Sequence, residues 1–352
     1  AQKNLSPVVV NHQVTRKTRV ALALLPEWGA HIPPYNLARI TALSRSSGFA
    51  TKSYDINVAC YDQCDKTYWG GYKDWKWTSD DYYTEVHPMI EPVLLDYLEQ
   101  IIEFAPDVVG FSIYDTSNRA TTWMIQQIKS RLPNVKILAG GPQAIKEKIE
   151  DTSLIDHVVV GEGELIFLDL LEKIEAGIEV PDKVLYHDKG IRIDLDSLPY
   201  PDYSDFKLHL YNQNGVSAEL SRGCVAKCQF CSETNFWRYR GRQAGNIVDE
   251  IEYQYRTLDI KSVWFIDSLV NGNLKELRAF AQGVVERGLK IQWQGYARCD
   301  GRMDLEYYKD LKASGCNMLN YGIESGSQKV LDLMKKNITV EEIESNMRDA
   351  AE

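Results

Sequence analysis

Hydrophobic positions along the chain follow two rhythms. Short unbroken apolar runs, the mark of strands covered on both faces, alternate with segments whose apolar residues recur every three or four positions, as on one face of a helix. The first run is Arg19-Val-Ala-Leu-Ala-Leu-Leu25, stopped by Pro26. After a loop to Pro34, residues 35–44 read as a helix that Gly48 ends. Strand 51–56, helix 92–104, strand 106–113, helix 119–131, strand 135–139, helix 143–149, strand 157–160 and helix 165–176 repeat the unit. Residues 60–87 follow neither rhythm and are dense in aromatics, including Trp69, Trp75, Trp77, Tyr82 and Tyr83. Aromatics bury large areas wherever they sit, so this stretch reads as a packed surface insertion, with a lid over a flat ligand as the alternative. Strands alternating with helices predict an α/β fold with an open, doubly wound parallel sheet of Rossmann-like type. A ligand belongs in the crevice at the carboxyl ends of its strands.

Between residues 177 and 214 the rhythm breaks. Val184-Leu-Tyr186 and Ile191-Arg-Ile193 flank Asp188-Lys-Gly190, a hairpin signal, and Leu198-Pro-Tyr-Pro-Asp202 reads as a proline-punctuated crossing between domains. The alternation then resumes with a strand ending at Leu220, helix 246–257, strand 262–266, helix 274–287, strand 290–294, helix 304–313, strand 317–321 and helix 327–334. A further helical pattern covers 340–351. This predicts a partial (β/α) barrel, whose chemistry is expected at the carboxyl ends of the strands. The chain thus divides into an arm (1–17), a sheet domain (18–178), a linker (179–214) and the partial barrel (215–352).

Composition narrows the class. The 352 residues are 44% hydrophobic and 26% charged, as in a soluble globular protein. No apolar run reaches the length of a membrane span. A net charge of -10 argues against a nucleic-acid backbone as partner, because binding phosphates needs a basic face. One local exception is the run with Arg222, Lys227, Arg238, Arg240 and Arg242 against the single acid Glu233. It reads either as a positive collar near an anionic group or as a solvated loop. An odd number of cysteines, seven, without a signal peptide fits a reducing cytoplasm.

Three of those seven cysteines lie in Ser221-Arg-Gly-Cys224-Val-Ala-Lys-Cys228-Gln-Phe-Cys231, spaced C-x3-C-x2-C, directly after the first barrel strand. Thiolates select zinc, copper(I) or iron-sulfur centres, and three on a tight loop can share a cluster while one metal position stays open. A closed zinc site would need a fourth ligand, for which only the distant Cys299 or Cys316 is on offer, since the last histidine is His209. Both of those cysteines are expected to pack as small apolar residues.

This loop, with Phe230 just before the last cysteine, resembles the signature of the radical S-adenosylmethionine (SAM) enzymes. The resemblance implies that Cys224, Cys228 and Cys231 hold a four-iron, four-sulfur cluster whose open iron takes SAM, and that the backbone of Phe230 lies against the adenine. Gly322-Ile-Glu-Ser-Gly-Ser327 matches a pattern of the same family and implies SAM contacts at Glu324 and Ser325. Asp267, Ser268 and Arg298 follow barrel strands, and a carboxylate can hold the ammonium or ribose hydroxyls of SAM while an arginine binds its carboxylate. They are SAM candidates by position, with ordinary strand-end capping as the alternative. Family barrels carry more strands than can be read here, so a further segment or a partner is expected to complete the sheet.

The first domain resembles the cobalamin-binding domain that precedes many radical SAM enzymes, through Pro33-Pro34-Tyr-Asn-Leu-Ala38, Asp107-Val-Val-Gly-Phe-Ser112, Gly140-Gly141-Pro142 and Gly161-Glu-Gly-Glu164. Cobalamin contacts are implied for Tyr35, Asn36, Ser112, Tyr114, Thr116, Gly140, Gly141, Gly161, Glu162 and Gly163. The D-x-H-x-x-G motif that supplies a cobalt ligand in other cobalamin domains is missing, and His31 reads as a polar loop residue. The resemblance implies a cobalamin-dependent radical SAM methyltransferase acting on an unactivated carbon of a small molecule, fed by a flavodoxin- or ferredoxin-type donor. Alternatives are ring formation or rearrangement without net methylation, and a non-catalytic cobalamin-binding subunit.

Overall fold

The computed structural model describes residues 16–142, 148–188, 190–233 and 237–352. Most of the arm and most of the helix expected at 143–149 lie outside these. The chain divides into two compact units: one runs to Arg192 and takes back Pro199–Asn212, the other holds Ile193–Leu198 and Gln213–Glu352.

In the first unit, β1 (Arg19–Leu24), β2 (Ala50–Asp55), β3 (Val108–Ser112), β4 (Lys136–Gly140), β5 (His157–Val160) and β6 (Val184–Tyr186) form a sheet of order β2-β1-β3-β4-β5-β6, every neighbour parallel. β1 is buried at every position after Arg19, which is why its sequence is an unbroken apolar run. Chain order reverses between β1 and β3, so the switch-point crevice lies at their carboxyl ends.

Two sequence expectations change here and one holds. Residues 179–214 are not simply a linker: Val184–Tyr186 is the sixth parallel strand, and among the described residues Ile191–Ile193 does not pair with it as the expected hairpin would require. The run is only three residues long and half exposed, too short for a pattern to show its partner. The helix expected from Pro92 begins at Val86 and carries Pro92 inside it. Its buried stripe of Ile90, Val93, Leu94, Tyr97, Leu98 and Ile101 holds it in place across the proline. Finally, residues 60–87 are the packed insertion. Trp77 and Tyr82 are wholly buried in the core cluster, and Trp69 meets Trp77 edge to face at 5.1 Å.

The second unit is a four-stranded parallel sheet of order β12-β11-β10-β7 (β7 Gly215–Ala218, β10 Ser262–Phe265, β11 Gln292–Ala297, β12 Cys316–Tyr321). Helices Ala244–Leu258, Leu274–Glu286 and Leu305–Ala313 intervene, giving a half barrel. Phe265, Phe280 and Trp293 stack mutually edge to face at its centre. A two-residue ladder, β8 (Ser221–Arg222) against β9 (Arg240–Gly241), closes the base of the cysteine loop. No helix among the described residues is long and apolar enough to cross a membrane.

Candidate functional site

The cysteine loop leaves β7 at the carboxyl end of the half barrel and is anchored before it reaches Cys224. Asp267, 2% exposed, accepts hydrogen bonds from the Leu220 backbone N–H at 3.0 Å, the Ser221 backbone N–H, and Ser221 Oγ at 2.7 Å. Burial, with Glu219 nearby, pushes its carboxyl up to about 7 against the pull of those bonds. Arg222 grips Glu219 in bidentate fashion at 2.8 and 3.1 Å, and Arg242 pairs with Asp196 at 3.1 Å and Glu250 at 2.9 Å. Arg222 and Arg242 of this basic run are thus committed to ion pairs at the loop's base. Gly223, at φ +82, passes so close to Arg238 that a Cβ would lie 3.0 Å from its carbonyl carbon.

Beyond this base Cys224, Cys228 and Cys231 are free and half-buried. Burial raises the Cys224 thiol, and charge on Cys228 or Cys231 adds to the rise, while Arg298 works against it. Among the described residues no three Cys, His, Asp or Glu side chains converge as a metal-holding group. The donor set nonetheless fits a thiolate-ligated cluster: three unpaired thiols on one loop, close enough to repel as anions, with no disulfide drawing any of them away.

The remaining barrel candidates divide. Asp267 serves the loop backbone. The Arg298 guanidinium donates to the Lys336 carbonyl and, at 2.5 Å, to that of Asn337, while Asn271 brackets its backbone at 2.7 and 3.0 Å. Both side chains are engaged by the scaffold here, the strand-end capping that stands as the alternative to SAM contact: each sits at a strand end whose loops need polar anchors. Ser268 is exposed beside Asp267. Phe230, 54% exposed, carries the ammonium of Lys336 over its ring at 5.5 Å, and Glu324, in a left-handed backbone at φ +68, receives the same ammonium at 3.3 Å. Ser325 Oγ accepts from the Ser327 N–H at 3.1 Å. Cys299 is buried at 3% exposure, as expected for a packing residue.

In the sheet unit the structure gathers most of the expected residues at the switch point. Asn36 donates to Ser112 Oγ at 2.8 Å and to the Tyr114 hydroxyl at 3.4 Å, and Thr116 donates to the Glu27 carbonyl at 2.5 Å. Tyr35 instead packs inward, its hydroxyl accepting from Arg39. Gly141 has a structural reason: at φ +101, a Cβ would lie 2.7 Å from the Ile113 nitrogen. At Gly140 a Cβ would meet nothing within 4 Å among the described residues. Gly161 passes against His187, and the buried Glu162 lies 4.0 Å from that imidazole. Gly163 leads directly into helix Glu164–Glu175. A rim of amide and hydroxyl groups fits a large, neutral, amide-edged cofactor such as cobalamin. His31 is exposed.

Several residues of these sites escape sequence reasoning. Asn57 is fully buried and accepts from both the Trp28 N–H and the Trp69 indole at 2.9 Å, which fixes the loop after β1. Trp28 meets Tyr114 at 6.4 Å, and burial, with Asp74 beside it, pushes Glu27 up to about 7. Lys336 is the other omission. As the second of two lysines after a helix it looks like a solvated C-terminal cation, and only Asn337 in a left-handed C-terminal position hints at the turn that buries it.

Comparison with known families agrees with this division. A B12-binding domain model matches residues 76–171 and a radical SAM superfamily model matches residues 218–352. The first unit thus carries a match to a B12-binding domain and the second a match to a radical SAM domain, which imply cobalamin and, for the second, a four-iron, four-sulfur cluster with SAM. It is 28% identical over 69% of its length to an uncharacterized methyltransferase of Pyrococcus horikoshii, covering 57% of that protein. It is also 28% identical over 76% of its length to an anaerobic magnesium-protoporphyrin IX monomethyl ester cyclase of Cereibacter sphaeroides, covering 48% of it. The chain thus spans about half the length of these relatives. In fold it matches the cobalamin-dependent SAM radical enzyme OxsB, with a TM-score of 0.71 and 17% identity over 95% of this chain and 48% of that one.

Proposed function

We propose that this chain acts in cobalamin-dependent methylation of an unactivated carbon on a small molecule. The observation that carries the reading is the presence, in one chain, of a three-thiol loop at the carboxyl end of a barrel strand and a parallel sheet whose switch point is rimmed by Asn36, Ser112 and Tyr114. The name of the Pyrococcus relative supports it. When bound, the cluster and SAM supply a carbon radical and cobalamin supplies the methyl group. The protein's own work is to position and to exclude water. Cys224, Cys228 and Cys231 hold the cluster; Phe230, Ser268, Glu324 and Ser325 contact SAM; the switch-point residues hold cobalamin. A flavodoxin- or ferredoxin-type protein delivers electrons.

A second reading is ring formation without net methylation, favoured by the match to the cyclase over 76% of this chain. Methyl-labelled SAM separates the two. Anaerobic incubation with cobalamin, reductant and fractionated small-molecule extract should place label, and one added methyl group, on a product. A product lighter by hydrogens and free of label identifies the cyclase. Absence of any SAM-dependent product alongside cobalamin retention points to a non-catalytic carrier.

A further inference from the structure

We propose that Lys336 is a positioning residue of the SAM site, locking the cysteine loop and the loop after β12 into one arrangement through Phe230 and Glu324. The inference rests on the SAM contacts proposed above for those two residues. Lys336 is 7% exposed, rare for a lysine without a specific partner. Its ammonium has two: the Glu324 carboxylate at 3.3 Å and the face of Phe230 at 5.5 Å. These lie on separate loops, one carrying Cys231 and the other following the last strand of the sheet.

The backbone around Lys336 is shaped for this placement. Lys335 and Asn337 both sit at φ +52, and Glu324 at φ +68, all left-handed and none a glycine. Such a conformation is unfavourable for a non-glycine residue and persists only where surroundings enforce it. The enforcing bonds are visible: Gln229 of the cysteine loop donates its N–H to the Met334 carbonyl at 3.0 Å, and Arg298 donates to the carbonyls of Lys336 and Asn337. Gly322 completes the fit, since a Cβ there would lie 2.9 Å from the Glu324 carboxylate and 3.4 Å from the Lys336 ammonium. A turn stapled to the cysteine loop on one side and to the end of β11 on the other thus delivers one cation between two SAM-contacting side chains.

The test uses the full chain, reconstituted anaerobically with iron and sulfide, and reads SAM binding by equilibrium dialysis together with the electron paramagnetic resonance spectrum of the reduced cluster with and without SAM. K336M should load iron as wild type does and keep the SAM-free spectrum, yet bind SAM about tenfold more weakly. K336R, which keeps a cation able to stack on Phe230, should recover most of the affinity. E324Q breaks the pair without touching the turn, and the double variant K336M/E324Q should be little worse than the weaker single one, as for coupled partners. K336M with wild-type affinity and a wild-type spectral response to SAM overturns the positioning role while leaving the radical SAM reading intact. Multiplicative losses in the double variant overturn it too. A wild-type chain that binds no SAM once loaded overturns the functional reading itself.

Discussion

The two parallel sheets finish their strands in opposite chemical styles. At the carboxyl ends of the first sheet, loops are tied to one another by neutral groups: Asn36 to Ser112 and Tyr114, Asn57 to Trp28 and Trp69. Two acids there are held toward neutrality, Glu27 at about 7 and Asp55, buried and bonded by Tyr211, at about 6. At the same ends of the half barrel the ties are ionic: Arg222 to Glu219, Arg242 to Glu250, Lys336 to Glu324. Asp267 is the exception there, a buried acid raised like those of the sheet. The difference teaches where ligand charge is to be met. A neutral, amide-edged cofactor suits a rim of amides and hydroxyls, whereas an anionic cluster with a zwitterionic cosubstrate suits a mouth furnished with paired ions.

The largest effect that sharpens this contrast is at the thiols. Cys224→Ala should abolish iron-sulfur absorption after reconstitution and leave cobalamin binding to the first sheet intact; loss of both together would break the separation of the two sites. Next, Trp77→Ala should cost the sheet unit about 3–5 kcal/mol in denaturant unfolding, because a wholly buried indole leaves a cavity, while iron loading in the native variant is unchanged. Asp267→Asn should cost about 1–3 kcal/mol, since an amide cannot accept from the Leu220 and Ser221 N–H groups on both oxygens, and should slow cluster incorporation. The smallest effect is pH dependence. Glu27 binds its proton more tightly folded than unfolded, so its contribution to stability is fully present below the ordinary glutamate range and is lost as pH rises through about 7. Glu27→Gln should flatten that slope in a series of unfolding curves; an unchanged slope would show that the sheet crevice is wet.

What the sequence could show tracks what was local. The strand runs, the helix faces and the C-x3-C-x2-C spacing are patterns within one segment, so both sheets and the thiol loop were legible. β6 was misread because three half-exposed residues carry no period, and only β5 beside them makes them a strand. Arg298 and Asp267 were rightly placed at strand ends, but the partners of the Arg298 guanidinium and of the Asp267 carboxylate lie 38 and 46 residues away or more in sequence, beyond any pattern. Lys336 was invisible for the same reason: its burial comes from left-handed turns and from a ring more than a hundred residues upstream.

The central claim is that Cys224, Cys228 and Cys231 present a cluster with an open iron to SAM. Its most direct test is the formation of 5′-deoxyadenosine by the anaerobically reconstituted chain given dithionite and SAM. The wild type should produce it and Cys224→Ala should not. No deoxyadenosine from the iron-loaded wild type, or equal amounts from both, would contradict the claim.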